Sequence, residues 1–100
     1  MDMTIEIKTT AEEITMEIAG RLDTLTAPQL EKTLGENITD GKNLVLDVKD
    51  LVYISSAGLR VLLGAQKKMQ KIGSMKVVNV CQEIMEVFEM TGFADILTIE

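Results

Sequence analysis

Two adjacent serines, Ser55 and Ser56, followed by Ala57-Gly58-Leu59, are the residues of this 100-residue chain whose setting bears most directly on chemistry. They stand between a strand-like apolar run ending in Tyr53-Ile54 and the longest helical pattern of the sequence. A helix that starts just after them points its unpaired N–H groups and the positive end of its dipole at the serine hydroxyls. Such a place can hold a phosphate, and a serine there serves equally well as a helix cap. On position and spacing alone, both readings of Ser56 stand.

What the chain lacks narrows the chemistry. There is no histidine, so neither a Ser-His-Asp nor a Cys-His arrangement can form. With no histidine and one cysteine, Cys81, a typical zinc site and an internal disulfide framework are both excluded. Neither a GxGxxG fingerprint nor a GxxxxGK[ST] loop is present. A net charge of −6 opposes nucleic-acid binding, which uses a basic stripe, and three aromatics leave little for base stacking. General acid–base groups are limited to carboxylates, lysines and one tyrosine. A binding or regulatory module without metal or cofactor is therefore expected, not an enzyme. The apolar fraction of 46% and charged fraction of 26% suit one small folded domain. No apolar run approaches the roughly 20 residues that span a bilayer, and no basic region precedes an apolar stretch at the N-terminus. The expected location is cytoplasmic, with no membrane and no nucleic acid among the partners.

The elements that must position the serines follow from periodicity. Residues 4–8 and 13–18 alternate polar and apolar, with Ile5 and Ile7 on the same side as Ile14, Met16 and Ile18. This pattern predicts an antiparallel hairpin with one wet face. Thr26 and Gln29 fit the capping-box spacing and Pro28 the first turn of a helix that carries Leu30, Leu34 and Ile38. Asp40-Gly41 marks a turn. Residues 44–48 read as a strand covered on both faces. From Gly58 to Ile72 a helix gathers Val61, Leu62, Ala65, Met69 and Ile72 on one side, leaves Arg60, Gln66, Lys67, Lys68 and Lys71 elsewhere, and ends at Gly73. A second buried strand over 75–81, a short helix over 82–91 carrying Ile84, Val87 and Phe88, a stop at Gly92 and a last strand over 96–99 complete the chain. The order β-β-α-β-α-β-α-(β) predicts an α/β domain with right-handed crossovers and partly parallel pairing.

Three stretches, in that order of elements, resemble the STAS domain, the family named for sulfate transporters and anti-sigma factor antagonists. They are Gly20 to Leu30, GRLDTLTAPQL; Leu44 to Leu59, LVLDVKDLVYISSAGL; and the strand MKVVNVC before the third helix. With the element order, the resemblance covers nearly the whole chain and is nearest to the stand-alone bacterial antagonists. It implies a mixed four- to five-stranded sheet with helices mainly on one face. It also implies a switch: the unphosphorylated antagonist binds an anti-sigma factor that is itself a serine kinase, phosphorylation releases it, and a serine phosphatase restores it. Laid on the motif, the phosphoacceptor is Ser56, two residues before Gly58. The usual pattern is Asp-Ser-[Ser/Thr]-Gly-Leu, so Ser55 stands where the family carries an acid and Ala57 where it carries a second hydroxyl. The partner-facing residues implied are Asp23, Ser55, Ser56, Gly58, Leu59, Arg60 and Leu63. The family also carries a helix after the last strand, for which no residues follow Glu100. An under-covered sheet face would favour self-association, so the expected state is a monomer or weak dimer. The alternative readings within the same fold are a scaffold module in a signalling complex not involving a sigma factor, or a small-ligand or nucleotide-binding domain.

Each of these residues has a plainer reading as well. Leu59 and Leu63 project away from the predicted core stripe, either as an apolar contact patch beside Ser56 or as leucines covered by a neighbouring loop. Asp23 is a partner contact or a turn residue ahead of the first helix. Thr26 reads as a plain cap and Arg21 as a solvated edge charge. Asp47 and Asn79 read as structural, Cys81 as a small apolar residue at the end of its strand, and the lysines at 67, 68 and 71 as a solvated face. The seven methionines read as fillers of core gaps.

Overall fold

The computed structural model describes residues 3–38 and 42–100. The predicted turn at Asp40-Gly41 lies outside the described residues. Strands β1 (Thr4–Thr9) and β2 (Glu13–Leu22) form the expected antiparallel hairpin, with Ile5 opposite Ile18 and Ile7 opposite Met16. Helix α1 (Ala27–Asn37) crosses to β3 (Asn43–Asp47), which runs parallel to the first half of β2. After a turn at Lys49-Asp50 the chain resumes as β4 (Leu51–Ile54), parallel to the second half of β2. The helix α2 (Ser56–Ile72) then leads to β5 (Met75–Val78), parallel to β3. Helix α3 (Gln82–Thr91) and a short 3-10 turn (Phe93–Asp95) follow. The strands form a mixed five-stranded sheet in the order β1-β2-β3-β5, with β4 continuing the line of β3 along β2.

One hydrophobic core explains why the helices share a face. Strand β2 buries every second residue, Ile14, Met16, Ile18 and Leu22 among them, while Glu13, Thr15, Glu17 and Ala19 alternate on the other side. Against that buried side pack Leu30 and Leu34 of α1, Leu62 and Met69 of α2, and Ile84 and Phe88 of α3. Four of the methionines, Met3, Met16, Met69 and Met75, fill this core as expected; Met90 does not, being 87% exposed. Among the described residues no helix is long and apolar enough to cross a membrane.

Several boundaries differ from the periodicity. Strand β4 is separate from β3, because Asp47 Oδ1 accepts the Lys49 N–H at 3.1 Å and the Leu51 N–H bonds to Val48 O at 3.0 Å, turning the chain between them. Strand β5 stops at Val78, not Cys81: Asn79 takes a left-handed φ of 59°, and its side chain donates to Asp47 Oδ1 at 3.1 Å. That pair bears out the structural reading of Asp47 and Asn79. Cys81 is the residue capping α3 instead of the end of a strand, half-buried against Leu51. The predicted last strand reduces to a single parallel bridge between Val77 and Ile99. Ile38 follows the end of α1 in extended conformation.

The buried stripe of α2 is rotated from the predicted one. Leu59 and Gln66 are 5% and 4% exposed, whereas Val61 and Ile72 are only half-buried. Two non-local contacts cause the rotation. Gln66 is covered by the end of the chain, where the Thr98 N–H donates to its Oε1 at 3.3 Å. At the other end, Gly58 lets the helix lie directly on the sheet. A Cβ at residue 58 would stand 2.6 Å from Leu22 Cγ, 2.9 Å from Ile54 Cγ1 and 3.0 Å from Leu22 O. Helix propensity alone favours Gly58→Ala by roughly 0.5–1 kcal/mol. The overlap involves a branch-point carbon and a carbonyl that cannot swing aside, so overpacking outweighs propensity. Gly58→Ala is expected to lower unfolding free energy by about 1–3 kcal/mol in urea denaturation; an unchanged or raised midpoint would show that the contact is not tight.

Candidate functional site

The two serines differ in role by one residue from the expectation. Ser55, not Ser56, caps α2: it has extended backbone (φ −98°, ψ 175°), its Oγ accepts the Gly58 N–H at 3.4 Å, and its carbonyl accepts the Leu59 N–H at 2.9 Å. Its own N–H donates to Leu22 O at 2.9 Å, so the cap extends the β2–β4 ladder. Ser55 is half-buried by these ties. Ser56 is the first residue of the helix itself; it is exposed, and its hydroxyl makes no hydrogen bond among the described residues. The first turn of α2 carries no acidic residue.

A second loop stands beside this helix start. After Leu22 the chain turns through Asp23, Thr24 and Leu25 into α1. Asp23 Oδ1 accepts the N–H groups of Leu25 at 3.0 Å and Thr26 at 3.1 Å, which is the turn role available to an aspartate. Thr26 does not cap α1 through its side chain, and the expected capping box with Gln29 is not formed. Its Oγ1 is used backwards, accepting the Asp23 N–H at 2.9 Å and donating to Arg21 O at 2.7 Å. The hydroxyl is spent on the loop, and Pro28 in the first turn has no N–H to satisfy.

The strand pairing brings the two loops together. A register shift between Gly20 and Arg21 sets Arg21 opposite Tyr53 and Leu22 opposite Ile54. Gly20 has a φ of 94°, a conformation that excludes most side chains. Arg21 is not a free edge charge: its guanidinium lies 4.1 Å from the Tyr53 ring centre, and its Nε is 3.7 Å from Asp23 Oδ2. Thr24 and Ala27 on one side and Ala57 and Arg60 on the other line a shallow groove of about 320 Å³. Tyr53 is 40% and Leu25 89% exposed, two apolar residues next to the site that periodicity did not single out. Leu25 stands in the polar stretch between β2 and α1, where an apolar residue with no strand or helix to bury it is the available signal.

Of the predicted partner-facing residues, Ser56 and Arg60 are exposed, and Asp23, Ser55 and Leu63 are half-buried. Gly58 and Leu59 are not surface residues. Gly58 is wedged against Leu22 and Ile54, and Leu59 is part of the core. Leu59 therefore supports the site from beneath. The lysines at 67, 68 and 71 are exposed, as a solvated face requires.

The Asp23 carboxyl is held below its usual value of 3.8, first by the Thr26 N–H, then by the Leu25 N–H and the Thr26 side chain, with Arg21 adding attraction. Folding thus favours the ionised form. Its contribution is complete above the usual carboxylate range and is lost as the pH falls through the depressed value. Carbon-detected NMR should give an Asp23 midpoint below 3.8, with the Leu25 and Thr26 amide signals moving together; a midpoint at or above that value contradicts the arrangement. The serines can be separated by stability. Ser55→Ala should cost about 0.5–1 kcal/mol, as for a lost cap, and Ser56→Ala less than about 0.5 kcal/mol. Equal losses on urea denaturation would mean that Ser56 shares the capping role.

Comparison with known proteins agrees with this architecture. The STAS domain profile matches residues 4–100. The anti-sigma-B factor antagonist of Bacillus subtilis (strain 168) is 33% identical over 100 residues, spanning 99% of this chain and 92% of its own. A solved anti-sigma factor antagonist from Mycobacterium paratuberculosis superposes with a TM-score of 0.88 over 98% of this chain and 85% of its own, at 23% identity. The Bacillus cell fate determinant SpoIIAA, solved in a phosphorylated form, superposes with a TM-score of 0.74 at 18% identity, over 97% and 91% of the two chains. The fold, the motif around the serines and the profile match agree: this chain belongs to the STAS domain family, and its relative from Bacillus subtilis bears the name of an anti-sigma-B factor antagonist.

Proposed function

We propose that this chain is an anti-sigma factor antagonist, switched by phosphorylation at Ser56. The observation that carries the reading is the division of labour between the serines. Ser55 is spent on the cap, while the Ser56 hydroxyl is exposed and uncommitted at the first position of α2. The relative from Bacillus subtilis bears the name of such an antagonist, and SpoIIAA has been solved with and without phosphate. In the unmodified state the chain binds a serine kinase that is also the anti-sigma factor. It does so through the surface formed by Asp23, Ser55, Ser56, Arg60 and Leu63, with Leu25 and Tyr53 as exposed apolar contacts. A serine phosphatase reverses the modification in the cytoplasm.

The physics of the switch is local. A phosphoserine adds about −1.5 to −2 charges at pH 7. At the start of a helix that charge meets the positive dipole end and is tolerated. No acidic side chain in the first turn of α2 opposes it. Phosphorylation therefore puts charge and bulk into the partner-facing surface without unfolding the domain. The test is to incubate the chain with a candidate kinase from its own genome and ATP, and to map the phosphate by mass spectrometry. Phosphate at Ser56, abolished in Ser56→Ala, is expected, with amide shifts confined to the start of α2 and residues 21–26. Phosphate elsewhere, none with any candidate, or shifts spread through the core would overturn the reading.

A further inference from the structure

Arg60 occupies a distinctive place relative to Ser56. It stands four residues along α2, so the two side chains are neighbours on one helical face, roughly 5–6 Å apart at Cβ. Both are exposed. Arg60 makes no ion pair or hydrogen bond among the described residues. The other arginine of the site is already engaged, stacked on Tyr53 and close to Asp23. Glu31 of α1 lines the same groove as Arg60, yet no ion pair joins them. Asp23 is committed to the N–H groups of its own loop. The unmodified chain thus presents a free guanidinium one turn from a free hydroxyl, on a helix whose first turn has no acid to compete for it.

We propose that Arg60 is the internal acceptor of the modified state: once Ser56 carries a phosphate, the Arg60 guanidinium turns to it and forms a charge-assisted clamp. The proposal rests on the reading of Ser56 as the phosphoacceptor and says how that site is regulated. The order of the pair is the favourable one, with the anion nearer the helix N-terminus and the cation four residues later. A guanidinium can meet two phosphate oxygens at once, which an ammonium cannot. The clamp changes the surface twice. It adds an anion at Ser56 and withdraws the cation that the unmodified chain offers at Arg60. A partner that uses a carboxylate to bind Arg60 therefore loses its contact and meets repulsion in the same event.

The test does not need the kinase, so its failure is distinct from failure of the phosphorylation reading. The full chain is made with phosphoserine incorporated genetically at position 56, and the phosphate is titrated by phosphorus NMR. A clamped phosphate loses its second proton more readily. The apparent value is expected to lie lower than in Arg60→Gln by about 0.3 of a pH unit or more, the scale of a helical i,i+4 ion pair. Arg60→Lys should restore part of the difference. Arg60→Gln should leave the unmodified chain folded, because residue 60 is exposed. The arginine side-chain Nε–H signal should shift on modification in the parent chain. Equal titration of parent and Arg60→Gln, or an unmoved Arg60 signal, would overturn the clamp.

Discussion

The approach of α2 to the end of β2 is the constraint on which the rest of the site depends. Leu22 serves three partners at once. Its side chain is fully buried, its carbonyl accepts the Ser55 N–H, and both lie against Gly58. Because the helix can lie that close, its first turn begins where the β2–β4 ladder ends. Ser55 becomes the hinge between strand and helix, and Ser56 is turned outward. A bulkier residue at 58 would press on Leu22 and Ile54 and push the helix off the sheet. The glycine that looks like a motif letter is thus a spacer whose absent side chain lets the helix lie against the end of the sheet.

Around that contact, several polar groups near the helix start are already engaged. Asp23 and Thr26 close the β2–α1 turn on themselves, Arg21 is held between Tyr53 and Asp23, and Ser55 is held by its cap. Among the described residues the Ser56 hydroxyl and the Arg60 guanidinium are left unengaged, as are the Thr24 hydroxyl and the Glu31 carboxylate that line the groove with Arg60. Because Ser56 and Arg60 are exposed, a change of charge there acts first on whatever binds the surface.

The order of the elements was legible because apolar alternation in the hairpin and 3.6-residue spacing in the helices are local signals. The resemblance of Gly20–Leu30 and Leu44–Leu59 then identified the family. What was not legible depends on contacts between distant segments. The separation of β3 from β4 hides inside a nearly continuous apolar run, since a turn of two polar residues, Lys49 and Asp50, looks like an interruption of one strand. Leu59 and Gln66 fell on the wrong side of α2 because their cover comes from the sheet and from Thr98, neither of which helical periodicity contains. The cap was misplaced by one residue because the helix starts two residues ahead of its first glycine. Thr26 carried the letter of a cap, but its hydroxyl is better used by the Asp23 N–H and the Arg21 carbonyl.

The bridge from Val77 to Ile99 bears on how the sheet can grow. The Val77 N–H donates to Thr98 O at 2.8 Å, and its carbonyl accepts the Glu100 N–H at 2.9 Å. The outer rim of β5 is therefore occupied at its centre, and an incoming strand there would have to displace residues 98–100. The opposite rim, β1, pairs only with β2 among the described residues. Its side chains include Glu6 and Lys8, the latter paired to Glu17 at 3.0 Å, charges of the kind that discourage strand-to-strand stacking. One border of the sheet is thus blocked by residues 98–100 and the other is guarded by charge.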